Sequence, residues 1–338
     1  MDLSVIYPVH ITFATRYILK RITTCLTNTT QGMPHAEHVI ALSGKPRYIK
    51  QAKQIIKRLN QTLSTHIRVV DYDTPTTPYS PGIARNFAVQ HATQNQLLFW
   101  DIDLLGSEQL YKAMPNHIAG ISKQTNRFEM YPCLYLCQAY TKSLTTYSYQ
   151  EIEQAWVDAT HLKTNSIEHF AMATSTILCN KQHFLDIGAF DEEFIGHMGE
   201  DLELLNRLSI AYGKYPFEKD HAEDWPSKVP AELKGFREQF ALYGLDNLND
   251  KLYTCHLNHS TRIGSLYKKS NTQNRGLLIN KIQQQTSNIE RPKVTFDCDW
   301  PDYLQQTPSI KKGYLEVAFR KTRKLLINPV NFFKDSLS

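Results

Sequence analysis

The sequence predicts an α/β protein built on a doubly wound mixed sheet, and two observations carry that prediction. Apolar runs of strand length alternate with longer stretches whose apolar residues recur at helical spacing, and the runs end in polar loops. Sheets of this kind bind their ligands beyond the carboxyl ends of the strands. A chain of 338 residues, 41% of them hydrophobic, can bury one large domain or two smaller ones, which excludes disordered and fibrous classes.

Taken in order, residues 3–9 (LSVIYPV) read as a buried parallel strand that ends at Pro8 and opens into a loop. A helix is expected from about Tyr17 to Leu26. His38–Leu42 is a second strand, stopped by Ser43 and Gly44. Tyr48–Leu63 carries Ile49, Ala52, Ile55, Ile56, Leu59 and Leu63 at helical spacing, and His66–Tyr72 is a third strand. A loop rich in Pro and Thr leads to Ser80-Pro81-Gly82, which opens a helix, and Leu97–Trp100 is a strand running into Asp101-Ile102-Asp103. Further on, Phe128–Tyr135 reads as one strand and Tyr149–Ala159 as a helix. Residues 183–194 lead through the loop Gly196-His197-Met198-Gly199 to Glu200-Asp201, which opens an amphipathic helix with Leu202, Leu204, Leu205, Leu208 and Ile210. Residues 215–250 read as loop-rich, and Leu252–Cys255 is a last strand ending at His256-Leu257-Asn258-His259.

No basic leader precedes the first strand, so no signal peptide is expected, and no apolar run approaches the roughly 18 residues of a spanning helix. Cys25, Cys133, Cys137, Cys179, Cys255 and Cys298 read as reduced, buried thiols of a cytosolic protein. The net charge of +5 lies in the tail, where Lys311, Lys312, Arg320, Lys321, Arg323, Lys324 and Lys334 face only Glu316 and Asp335. Within it, Tyr314–Ile327 reads as a basic amphipathic helix suited to an anionic membrane surface or to a partner enzyme of an assembly. The charge is too short and too local for nucleic acid.

The chemistry centres on Asp101 and Asp103. Bulky apolar residues followed by two carboxylates at i, i+2 put both on one side of an extended backbone, facing the crevice. Ionised carboxylates at a buried strand end repel unless a divalent cation sits between them. Hard cations such as Mg2+ or Mn2+ take carboxylate and phosphate oxygens together and carry the charge of a diphosphate leaving group. Gly82 gives a helix N-terminus the room that a nearby phosphate needs. Glu200 and Asp201 have two readings: stabilisation of a helix N-terminus, or a carboxylate that takes the proton of an attacking hydroxyl.

The ordered set SPGIARNFA, LLFWDID, FEMYPCLYL, IGAFDEEFIGHMGEDLELLNRL and HLNH resembles family 2 glycosyltransferases of the GT-A fold, nearest to bacterial capsule and surface-polysaccharide transferases and the chondroitin-polymerase type. The resemblance covers roughly residues 1–270. It implies a GT-A domain with a nucleotide-binding half, 1–105, and an acceptor-binding half, 106–270, followed by a C-terminal extension, 271–338. It implies inverting transfer of a hexosyl or N-acetylhexosaminyl group from a nucleoside diphosphate sugar, a uridine-linked one, to an oligosaccharide or lipid-linked glycan acceptor. It also implies a cytoplasmic location at the inner face of the plasma membrane.

By the same resemblance, Tyr7, Pro8 and Val9 lie beside the base, and Arg85 and Asn86 beside the nucleotide. Asp101 and Asp103 bind Mn2+ or Mg2+ and the diphosphate, with His259 completing the metal site and His256 as its substitute. Asp201 is the general base and Glu200 its partner, while Asn271 and Asn274 fall in a closing loop. Two details depart from the family: Ala189 stands where glycine is usual, and His197-Met198 replaces an aromatic-bearing stretch. Two other functions remain open. A sugar-phosphate nucleotidyltransferase would need a glycine-rich phosphate loop after the first strand, and residues 8–16 contain no glycine. A non-catalytic sugar-nucleotide-binding scaffold of a capsule assembly complex would keep the carboxylates without turnover.

Overall fold

The computed structural model describes residues 1–63, 65–161, 166–259, 270–289 and 300–306. Its first part alternates as the periodicity predicts: β1 (Ser4–Ile11), α1 (Ile18–Gly32), β2 (Glu37–Gly44), α2 (Pro46–Leu63), β3 (Ile67–Asp71), α3 (Pro81–Gln90) and β4 (Gln96–Phe99). Then come β5 (Leu104–Gly106), α4 (Glu108–Lys123), β6 (Phe128–Met130), β7 (Cys133–Leu136), α5 (Gln138–Ser143), α6 (Tyr149–Thr160), β8 (Ile167–Ala171), β9 (Ile177–Asn180), α7 (Lys181–Asp186) and α8 (Glu200–Tyr212). The short strands β10 (Asp224–Trp225) and β11 (Lys234–Gly235) precede α9 (Phe236–Asn249), β12 (Thr254–His256) and α10 (Asn271–Thr286).

A 6-stranded mixed sheet runs in the order β3-β2-β1-β4-β9-β6, its first four strands parallel and β9 antiparallel. Alternation along β1 feeds both faces: Val5, Tyr7 and Val9 enter one core with α1, α2 and α4, while Ile6 enters the other with α3, α8, α9 and α10. A smaller 4-stranded sheet, β5-β12-β7-β8, abuts the first. Two of the short crossings from the first sheet to the second fall at Trp100–Asp103, between β4 and β5, and at Tyr131-Pro132, between β6 and β7. The mixed α/β class predicted from the sequence is the observed one.

Several boundaries differ from the periodicity, each for a local reason. β1 runs through Pro8 because β4 pairs with it only as far as Ile6, so the missing N–H of Pro8 faces no partner strand. α1 continues past Leu26 because Thr29 and Thr30 are buried and donate their hydroxyls to the carbonyls of Cys25 and Leu26, a core-facing turn that the apolar pattern does not show. The expected strand Phe128–Tyr135 is two strands in different sheets, broken at Pro132. The loop-rich stretch 215–250 contains α9, whose residues are buried nearly all round and so carry no helical stripe. Asn271 and Asn274 lie on α10 rather than in a loop, and Leu278 and Ile282 of α10 are fully buried in the main core, so the expected boundary at 270 falls before a helix that belongs to the domain. The basic segment Tyr314–Ile327 lies outside the described residues. Among the described residues no helix is long and apolar enough to cross a membrane.

Candidate active site

The last ladder bond of β4 runs from the Trp100 N–H to the Ile6 carbonyl, and the Leu104 N–H then bonds back to the Asp101 carbonyl at 3.2 Å. Residues 101–104 are therefore a tight turn between the two sheets. The extended geometry expected of Asp101 and Asp103 does not apply, because the turn sends their side chains to different partners.

Asp101 faces the first sheet. Its Oδ1 accepts from Arg85 Nη2 at 2.8 Å and its Oδ2 from the Ser175 hydroxyl at 3.1 Å. Arg85, on α3, is 3% exposed; its Nη1 lies 3.5 Å from Glu200 Oε1 and its guanidinium 5.3 Å from the Phe190 ring. Burial alone would lower the pKa of Arg85, but Asp101, Glu200 and Asp201 outweigh it and hold the charge firmly on. Glu200 is itself buried, and burial followed by the neighbouring charge of Asp201 pushes its pKa up to about 8, against the opposing pull of Arg85. Burial and the Asp201 charge thus favour the protonated carboxyl. Glu200 Oε2 and Arg85 Nε are buried with no hydrogen-bond partner among the described residues.

Asp103 faces the second sheet. Its Oδ2 lies 3.2 Å from His256 Nε2 and 3.5 Å from His259 Nε2. The three side chains each offer a ligand atom, and these atoms lie within 4.8 Å of one another. Burial would raise the Asp103 pKa, yet His256 and His259 draw it down to about 2; in return Asp103 raises that of His256 against burial. Aromatic rings fix both imidazoles: Tyr17 stacks on His259 at 4.2 Å and Tyr135 on His256 at 4.5 Å. The donor set suits a divalent cation that accepts nitrogen, which favours Mn2+ over Mg2+. Both histidines join Asp103, whereas Asp101, expected as a third ligand, is outside this cluster.

The turn into Glu200 is strained and braced. Gly196, Met198 and Gly199 all have positive φ, and a Cβ on Gly199 would meet the Phe194 ring at 2.6 Å. Asn274, 2% exposed on α10, donates to the carbonyls of Ile195 and His197, both at 3.0 Å. Sequence reasoning placed Asn274 nearby without a role; it holds the loop that presents Glu200 and Asp201.

Other expected contacts take a different form. Tyr7 and Val9 point into the core, and the Tyr7 hydroxyl bonds His38 Nδ1 at 3.0 Å, so neither presents a surface to a base; Pro8 is half-buried. The open surface at the end of β1 is instead made by His10, stacked on Tyr79 at 4.4 Å and bonded to Ser43. Polar residues just past an apolar run were the missed signal. Gly82 makes room for protein: an added Cβ would lie 3.2 Å from Glu200 Cγ and 3.3 Å from Phe190 Cβ. Asn86 spends its amide on both the carbonyl and the N–H of Phe190 and on Glu192, which makes it a brace for that loop.

An acidic turn beyond the carboxyl end of a parallel strand, at the seam between a large mixed sheet and a smaller one, fits the GT-A fold that the sequence led us to expect. The chain belongs to the family described as glycosyltransferase like family 2, whose model matches residues 4–283. No curated protein matches it. Its likeness to solved structures is distant. TarS of S. aureus in complex with UDP-GlcNAc has 18% identity and a TM-score of 0.38, with 62% of this chain and 54% of that one covered. GalNAc-T7 with UDP, GalNAc and Mn2+ has 14% identity and a TM-score of 0.41, with 61% and 40% covered. A longer TarS structure is covered over only 34% of its length, so the chain spans about a third to a half of these proteins.

Proposed function

We propose that the chain transfers a hexosyl or N-acetylhexosaminyl group from a nucleoside diphosphate sugar, with uridine as its base, to a glycan hydroxyl in the synthesis of a bacterial surface polysaccharide. The observation that carries this reading is the pairing of an Asp103–His256–His259 cluster with an Arg85–Asp101–Glu200 cluster on either side of one turn. A divalent cation held by Asp103, His256 and His259 would neutralise the charge that builds on a departing diphosphate. Asp101, oriented by Arg85 and Ser175, accepts hydrogen bonds from the donor. Asp201, on the first turn of α8, takes the proton of the acceptor hydroxyl, while Glu200, in the protonated form that burial favours, donates a hydrogen bond that orients it. A base that activates the acceptor directly makes the reaction a single displacement, with inversion at the anomeric carbon. An anionic inner-membrane surface or a capsule-assembly enzyme is the partner proposed for the tail.

The test is release of nucleoside diphosphate from a panel of nucleotide sugars with Mn2+ and with EDTA. Turnover is expected with Mn2+ alone, and Asp201→Asn should lower it by about 100- to 10,000-fold. Full activity in EDTA would remove the metal from the reaction, and nucleotide binding without any turnover would favour a scaffold.

A further inference from the structure

Trp225 is 57% exposed, an unusual place for a large aromatic ring that is held rigidly. Its backbone pairs with Lys234 in the β10–β11 hairpin, and its indole N–H donates to Glu223 at 2.6 Å, which sets the orientation of the ring. The preceding Asp224 side chain is 1% exposed and is gripped by Arg237 and by Arg275, whose Nε lies 2.6 Å from it. Gly235 closes the hairpin so tightly that a Cβ there would lie 2.0 Å from the Glu223 carbonyl.

One anchor ties this hairpin to the loop before the proposed base. Arg275 sits one residue beyond Asn274, the side chain that holds the loop before Glu200 and Asp201. Lys228, in the loop of the hairpin, is close enough to His169 for its charge to add to burial in lowering the pKa of that imidazole to about 4. The His169 ring stacks on Tyr135 at 4.5 Å, and Tyr135 stacks in turn on His256 of the proposed metal cluster. The hairpin carrying Trp225 is thus tied through Arg275 to the helix that braces the loop of the proposed base, and its Lys228 acts on the ring stack beside the proposed metal site.

We propose that Trp225 is the stacking platform of an acceptor-sugar subsite, a reading that rests on the glycosyltransferase function above. A pyranose ring presents an apolar face of C–H hydrogens, and the negative face of an indole matches it. Rigid anchoring means that little ordering is lost when a sugar binds.

The test uses the full chain and, as probes, the methyl glycosides of glucose, galactose, N-acetylglucosamine and N-acetylgalactosamine, with binding read by saturation transfer to the sugar protons. At least one glycoside is expected to bind through one ring face. Trp225→Ala should weaken it by about 10-fold or more and Trp225→Phe by no more than about 3-fold, as for other aromatic anchors. Unchanged melting temperatures will show that the variants fold. Absence of glycoside binding by the wild type, or binding that survives Trp225→Ala, overturns the proposal. Nucleotide-sugar turnover is assayed in parallel: its absence alongside Trp225-dependent glycoside binding sinks the glycosyltransferase reading and leaves the sugar site standing.

Discussion

Two carboxylates separated by a single residue live in opposite electrostatic worlds. Around Arg85, one buried cation faces Asp101, Glu200 and Asp201, and burial, followed by the neighbouring charge of Asp201, pushes Glu200 up to about 8. Around Asp103, one carboxylate faces two imidazoles, and it is drawn down to about 2. The turn at 101–104 makes the separation, sending one side chain to each sheet. The lesson is that an acidic pair need not act as a pair: one cluster favours a protonated carboxyl, while the other keeps a carboxylate ionised and suited to a cation.

The largest effect that would break this contrast comes from removing its buried cation. Arg85→Met leaves Asp101 without its buried partner and should cost about 3 kcal/mol, read by urea denaturation at pH 7. Next is Glu200→Gln. A carboxyl whose folded pKa is raised binds a proton in the fold that the unfolded chain has lost, so wild-type stability falls as pH rises from about 4.5 to about 8. Glu200→Gln should therefore gain on the order of 1–3 kcal/mol relative to wild type at pH 8.5 and nothing below pH 4.5. An equal effect at both pH values would deny the raised pKa.

His256→Gln should behave the opposite way. The depressed Asp103 pKa contributes stability above its unfolded value, lost as pH falls towards 2. The raised His256 pKa contributes stability below its unfolded value, lost as pH rises through it. The variant is expected to lose about 1 kcal/mol at pH 5 and less at pH 9, read by thermal denaturation. The smallest effect concerns the loop beneath Arg85. Ala189 has φ +56, and its carbonyl accepts from Arg207 at 2.6 Å. Ala189→Gly should stabilise the fold by about 0.5–1 kcal/mol.

Much of this was legible in the sequence, and what was not has physical reasons. Short apolar runs located the parallel strands, and apolar residues at helical spacing located the helices between them, because buried faces impose both. The acidic residues and both histidines were legible by type and order. Their grouping was not, since a turn of four residues decides it and leaves no periodic trace. The braces are also silent: Asn86 and Asn274 act through backbone carbonyls, which any local sequence supplies. Ala189 is the reverse case, a residue that breaks a glycine pattern yet keeps the left-handed backbone, with Arg207 bound to the carbonyl there.

Direct titration of the protein with Mn2+, followed by the electron paramagnetic resonance of the free ion, separates the two clusters. Wild type and Asp101→Asn are expected to bind one Mn2+ with affinities within about 3-fold of each other, while Asp103→Asn and His256→Gln lose at least about 10-fold. Equal loss in Asp101→Asn, or retained binding in Asp103→Asn, would contradict the division of the acidic turn between two sites.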